Sequence, residues 1–181
     1  MKKITLVIAS IWMGFAFAPA PQKTKIFANQ NKSTISYDMN HPMHAWTGVS
    51  HEVTSALICS ENKDSLFQVA VAVKIASFDS DNSNRDSHAM EVTEALKFPS
   101  ITFMSSEIKP LGLSSFEVTG NLKFHGVAHR ISFKIETQKE GSQLIARGEF
   151  LIKMTDYGID PPTLMGISTD DEFKIHFEVY Y

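Results

Sequence analysis

SLFQVAVAVKIASF, residues 65–78, sorts its side chains by parity: Phe67, Val69, Val71, Val73 and Ile75 fall on one side, and Gln68, Ala70, Ala72, Lys74 and Ala76 on the other. A period of two puts alternate residues on opposite faces of an extended chain, so the stretch reads as a long β-strand with one bulky apolar face. An amphipathic helix would need its apolar positions to recur at three and four, which they do not.

The same split returns along the chain. In FEVTGNLKFH, Phe116, Val118, Gly120, Leu122 and Phe124 oppose Glu117, Thr119, Asn121, Lys123 and His125. Ile131, Phe133 and Ile135 oppose Ser132, Lys134 and Glu136, and at the C-terminus Phe173, Ile175, Phe177, Val179 and Tyr181 oppose Glu172, Lys174, His176, Glu178 and Tyr180. Weaker versions lie at Ile35, Tyr37 and Met39, at Ile101 and Phe103, and at Leu144, Ala146, Gly148, Phe150 and Ile152. With a less regular segment at residues 46–60, this predicts about eight strands. Turn signals at Lys109-Pro110-Leu111-Gly112, His125-Gly126 and Glu140-Gly141-Ser142 make the connections short and the neighbours antiparallel. One helix is expected from Asp86, as N-cap, to Leu96, with Pro99 barring its continuation.

Strands of this kind suit a two-sheet sandwich or a closed barrel. Their length and their faces rich in Phe, Val, Ile and Leu favour an all-β, eight-stranded antiparallel barrel with one short inserted helix, a size that encloses one apolar ligand.

The chain of 181 residues opens with MKKITLVIASIWMGFAFAPAPQ. Two lysines, an apolar run from Ile4 to Ala18 and then small residues read as a secretory signal peptide, residues 1–16, with a cut after Ala18 as the alternative. The run is shorter than the roughly 20 residues of a membrane span and has no second copy downstream, so no transmembrane segment is expected. Residues 17–32 read as a polar lead-in and 33–181 as one domain, periplasmic or secreted. The formal charge is −3, and without a basic stripe nucleic acid is not the expected partner. Cys59, the single cysteine, has no intramolecular partner and reads as a small buried apolar residue.

SFDSDNSNRDSHAMEVTEALKFPSITFMSS, residues 77–106, resembles the signature stretch of the YceI-like family: a polar loop, an Arg-Asp-x-His step into a short helix, and a Pro-x-x-x-Phe strand. VTGNLKFHGVAHRISFKI, residues 118–135, is similar to that family's Thr-Gly-x-Leu-x-x-x-Gly-Val hairpin. MTDYGI, residues 154–159, resembles its Asp-Phe-Gly-Ile turn, with Tyr157 in the aromatic position. The resemblance runs from about Ser33 to Tyr181. Lys32-Ser33 stands where the family has a His-Ser step, and Ala128-His129-Arg130 where it often has Thr-Lys-Pro; His41 aligns with the family's own histidine.

The resemblance implies a lipocalin-like barrel that holds a polyisoprenoid or similar amphiphilic lipid, of quinone type or a polyprenyl chain, with no other cofactor; it also implies a homodimer for several members. The expected cavity lining is Phe67, Val69, Val71, Val73, Ile75, Phe103, Phe116, Val118, Leu122, Phe133, Phe150, Phe173 and Phe177, together with Gly120 and Gly148, which either relieve strand curvature or leave room for ligand. Arg85, Asp86 and His88 are placed at the mouth, as an ion pair and helix cap or as contacts to a polar head.

A different class of function rests on the histidines. His41, His44, His51, His125 and His129 are chemically fit for a metal or haem, but their spacing matches no zinc pattern. Asp79, Asp81 and Ser83 imitate the start of a calcium loop, yet Asn84 replaces the required glycine and Met90 the closing glutamate. No nucleophile elbow, phosphate loop or dinucleotide fingerprint occurs, so an enzyme is not the expected reading.

Overall fold

The computed structural model describes residues 22–164 and 166–181; the expected signal peptide and its cleavage sites lie outside them. The principal elements are β1 (Lys23–Phe27), β2 (Thr34–His41), β3 (His44–Ser50), β4 (Thr54–Ser60), β5 (Leu66–Lys74), α1 (Ser83–Val92), β6 (Ser100–Pro110), β7 (Ser115–Phe124), β8 (Val127–Glu140), β9 (Gln143–Lys153), β10 (Thr163–Leu164), β11 (Ile167–Ser168) and β12 (Glu172–Tyr180). Ten of the strands form one antiparallel sheet in the order β1-β4-β5-β6-β7-β8-β9-β12-β2-β3, and β10 and β11 pair separately. The sheet curls until its ends meet its own loops. Asn29 N donates to Tyr180 O (2.7 Å), and Val49 exchanges backbone bonds with Asp79 (2.8 and 2.9 Å).

The all-β barrel is as expected; the strand count is not. Lys23–Phe27 lies inside the segment read as lead-in, and its lysines mask a five-residue edge strand paired with β4. Lysines on an edge discourage pairing with a further chain. The irregular segment at 46–60 is two strands, β3 and β4, separated at residues 51–53.

The β7–β8 hairpin shows why its turn is tight. His125 and Gly126 both have positive φ (48° and 79°) between the paired residues Phe124 and Val127, the two-residue geometry whose twist matches that of the strands. His125 is held in this unfavourable region by a bond of its Nδ1 to Tyr157 O (3.0 Å), which ties the hairpin to the β9–β12 connection.

The helix starts earlier than expected. Its N-cap is Asn82, whose side-chain oxygen accepts from Asn84 N and Arg85 N at 3.1 Å, and it ends at Val92 rather than Leu96. Asp86 sits within the first turn, where a carboxylate favours the helix dipole, and is engaged elsewhere.

The core is continuous through the barrel. Val118, Phe116, Leu122 and Phe124 from β7 are each less than a tenth exposed, as are Phe103, Ile135, Leu144, Ile152 and Phe173. At the end opposite α1, Tyr181 closes the interior: its hydroxyl meets Ser55 Oγ at 2.5 Å, and its backbone exchanges bonds with Leu144 (2.8 and 2.9 Å).

Candidate functional site

Apolar faces from β2, β3, β4, β5, β6, β7, β8, β9 and β12 enclose a cavity of about 580 Å³. That lies within the range of about 300–1,000 Å³ typical of sites that bury a small molecule. Val69, Val71 and Val73 line it from β5, with Ile75 just beyond the strand; Phe103, Val118, Leu122, Phe133, Phe150, Phe173 and Phe177 line it from the strands that follow. Phe133 stacks on Phe150 (centroids 4.7 Å apart) and meets Phe177 edge-on (5.8 Å), so three strands share one aromatic wall.

Four expected lining positions are placed elsewhere. Between the pairs Ile58–Gln68 and Cys59–Leu66 the register of β4 and β5 shifts by one residue, at Phe67. The bulge reverses parity, so Leu66 lines the cavity, while Phe67 lies under Lys23, whose Nζ is 4.8 Å from its ring centroid. Phe116 is buried in the core without reaching the cavity wall. Gly120 and Gly148 leave no space for ligand. A Cβ at Gly120 would lie 2.4 Å from Met104 O and 2.6 Å from the Phe103 ring; one at Gly148 would lie 2.6 Å from the Phe177 ring. The glycines seat the aromatic rings that form the wall.

Other wall residues were not anticipated. Ile35, Tyr37 and Met39 alternate along β2 and, with His44 and Trp46 on β3, line the cavity. The alternation at 35–39 was the available signal. Ile108 follows a second register shift, at Ser106 in β6, that breaks the parity of its strand.

The mouth is formed by the start of α1, the β2–β3 tip and the β9–β12 connection, which contribute Arg85, His41 and Thr169 among others. Arg85 and Asp86 do not pair with each other; they converge on Ser80. Arg85 donates through Nε to Ser80 Oγ (2.8 Å) and through a terminal nitrogen to Ser80 O (2.6 Å), and Ser80 Oγ donates to Asp86 Oδ1 (2.6 Å). The Arg85 guanidinium also lies over the Trp46 ring, 5.0 Å from its centroid. His88, though exposed, also borders the cavity, its Nδ1 3.6 Å from Glu91.

The histidines are not gathered. His41 is buried, its Nδ1 accepting from Met43 N (3.2 Å) and its Nε2 bonded to Ile167 O (3.0 Å). The backbone donor fixes Nδ1 as acceptor and Nε2–H as donor, so the neutral ring spans the two tips at the mouth with both nitrogens committed. His44 packs between His41 and Trp46 (centroids 5.7 and 5.3 Å), His51 is exposed, and His125 and His129 pack around Tyr157. Among the described residues, no three His, Cys, Asp or Glu side chains come together as a metal set. Asp79, of the calcium-like loop, accepts from Asp81 N (2.8 Å) in a local turn.

Burial governs the titration of the interior. It raises the Tyr37 phenol, an effect partly opposed by the nearby Trp46 N–H, and pushes Tyr181 and Tyr157 up to about 12.

A family model, the YceI-like domain, matches residues 28–181. The chain belongs to the YceI-like family. UPF0312 proteins are among its relatives: one from Pseudomonas fluorescens is 35% identical over 103 residues, 52% of this chain and 54% of the relative, so that match spans about half of each. Another, from Pseudomonas aeruginosa, is 26% identical over 165 residues, covering 84% of this chain and 86% of the relative. Among solved structures, Burkholderia cenocepacia BcnA superposes with a TM-score of 0.76 at 21% identity, covering 85% of this chain and 99% of BcnA. A polyisoprenoid binding domain from Saccharophagus degradans gives 0.67 at 13% identity, covering 90% and 98%. At these identities the structures establish that the YceI-like barrel is shared.

Proposed function

We propose that the chain is an exported carrier or sequestering protein that holds a polyisoprenoid or similar long apolar lipid inside the barrel. The observation that carries the reading is the cavity itself: an apolar space of about 580 Å³, walled by side chains from nine of the large sheet's ten strands, with polar groups gathered at one end. A tail inside it gains about 0.8 kcal/mol for each methylene removed from water. Practical affinities saturate near −18 to −21 kcal/mol, so such a site holds a lipid firmly while counting its units poorly. The polyisoprenoid binding domain among the structural relatives supports the cargo class, and the leader-like N-terminal sequence supports periplasmic delivery or secretion. The reading is of binding rather than chemistry, because the polar groups at the mouth are engaged in holding the loop and helix together.

The test is native mass spectrometry of the untagged protein, followed by organic extraction of the same sample. The expected result is a co-purified apolar mass that solvent releases. Folded protein that is empty and takes up no isoprenoid when offered it overturns the proposal. Val71→Trp, which fills the cavity from mid-strand, is expected to abolish retention, with an overpacking cost of about 1–3 kcal/mol in stability.

A further inference from the structure

Three buried side-chain atoms have no hydrogen-bond partner among the described residues: Trp46 Nε1 and Thr169 Oγ1 in the cavity wall, and His125 Nε2 at the β7–β8 turn. Such atoms are few in native proteins, and the third of these faces a charge. Glu94 Oε1 lies 3.5 Å from His125 Nε2, and the His125 side chain is only 13% exposed.

The tautomer follows from the other ring nitrogen. His125 Nδ1 is 3.0 Å from Tyr157 O, and a carbonyl oxygen only accepts, so Nδ1 carries a proton. In the neutral ring Nε2 is then a lone pair facing a carboxylate, a repulsive contact. In the imidazolium it is an N–H that donates to Glu94 and closes an ion pair. One proton changes the sign of the contact.

The contact lies where it bears on the cavity. Glu94 follows α1, whose Ala89 and Val92, with Thr93 just beyond, line the cavity although no residue of the helix is buried. The start of the helix is held by the Asn82 cap and by the bonds of Arg85 and Asp86 to Ser80. Past its other end, Ala95 is buried and Phe98 packs on the β7–β8 turn, its ring centroid 4.9 Å from that of His125. A Cβ at Gly126 would lie 2.6 Å from the Phe98 ring, so the turn and the connection touch in either protonation state. The proton decides how firmly they are joined.

The other ionisable groups nearby have their own engagements. Glu94 Oε2 pairs with Lys97 Nζ (3.1 Å), and that bond, with a smaller contribution from His125, holds the carboxyl below its usual range and ionised. On the β9–β12 connection Tyr157 keeps its phenolic proton up to about 12, raised by burial and by Asp156. On β8, His129 packs on the Tyr157 ring, and His88 pairs with Glu91 within α1 itself.

We propose that His125 is a proton-sensitive pin for α1: protonated, it fastens the C-terminal end of the helix beside the cavity, and neutral, it frees that end and speeds exchange of cargo. The effect on cargo rests on the carrier reading; the pin itself does not. Retention is then greatest in acid and falls across roughly pH 5–8, the interval in which histidine side chains ordinarily change charge.

The test loads the full chain with a radiolabelled prenyl alcohol and follows its transfer to excess phosphatidylcholine vesicles at about pH 5.5 and about pH 8. Amide protection of residues 83–98, corrected for intrinsic exchange, is measured on unloaded protein at the same two values. Transfer and opening of these amides are both expected to be about three-fold faster at the higher pH. Glu94→Gln offers the neutral ring an amide N–H, so slow transfer is expected at both values. His125→Asn, which accepts a positive φ but does not titrate, is expected to be fast at both; if it does not fold, Glu94→Gln carries the test. Wild-type protection that is unchanged between the two values overturns the pin, as does a pH dependence that survives in the folded variants. Protection that follows pH while transfer does not overturns control of the cargo. Protection that follows pH in a chain that takes up no prenyl alcohol leaves the pin in place and overturns the carrier reading.

Discussion

At the floor of the barrel Leu144, Leu66 and Val179 are buried, Tyr181 is bonded to Ser55, and the β4–β5 and β8–β9 turns are fastened by Lys139 to Asp64 and by Lys63 to Ser142 O. At the mouth α1 buries none of its residues, Met43 and Ile167 stand 59% and 44% exposed, and two wall atoms have no partner among the described residues. The same sheet thus has one end where nearly every group is satisfied and one where satisfaction is local. Regions with few buried contacts open at lower free energy than the core. The comparison teaches that stability can be concentrated at the closed end while the open end remains free to admit and release a long ligand.

Truncating the floor offers the most direct way to break this comparison. Leu144→Ala removes a fully buried side chain where β9 meets Tyr181, and is expected to cost about 2–5 kcal/mol. Denaturant unfolding reads the loss, and lipid retention by the remaining folded protein is expected to persist. A loss below 1 kcal/mol would mean that the floor is no better packed than the mouth.

Alkaline pH sharpens it next, because each end carries a phenol whose pKa burial pushes up to about 12. Tyr181 at the floor and Tyr157, stacked near Phe124 and His129 toward the mouth, keep their protons up to about 12, whereas an unfolded chain releases them near 10. A raised phenol pKa means that the folded state holds protons the unfolded state has lost. The associated stability is therefore fully present below pH 10 and disappears as pH rises to 12, by up to about 3 kcal/mol per group. Tyr181→Phe and Tyr157→Phe should each flatten that slope in unfolding measured from pH 9 to 12, the rest coming from phenols such as Tyr37 that burial also raises. An unchanged slope in both variants would show that other groups govern alkaline unfolding.

Much of the wall was legible because parity is a local property. Val69, Val71, Val73, Val118, Leu122 and Phe133 could be assigned to a face from alternation alone. The failures have physical causes beyond any one strand. The bulge at Phe67 depends on pairing with β4, and the crowding at Gly120 and Gly148 depends on rings from β6 and β12. The edge strand Lys23–Phe27 was hidden because an edge requires little apolar surface. Arg85 and Asp86 were legible as mouth residues, but their joint partner was not: Ser80 is an unremarkable serine in sequence and becomes the centre of the clamp only once the β5–β6 connection folds back. Trp46 and Thr169 lie well over a hundred positions apart, and nothing local marks either as unpartnered.

The smallest expected effect separates local from global stability at the mouth. Asn82→Ala deletes the cap that satisfies the amides of Asn84 and Arg85, a change worth about 1 kcal/mol to the helix. Since α1 buries no residue, that loss should appear as faster amide exchange through residues 83–92, while the global unfolding midpoint moves little. The capped turn also carries Arg85, which reaches both Ser80 and the face of Trp46, so loosening it should speed release of bound lipid more than it weakens the fold. Faster exchange with unchanged release would place the gate in the β2–β3 and β10–β11 tips that His41 joins. A drop in the global midpoint as large as that of Leu144→Ala would mean that α1 belongs to the same cooperative unit as the floor.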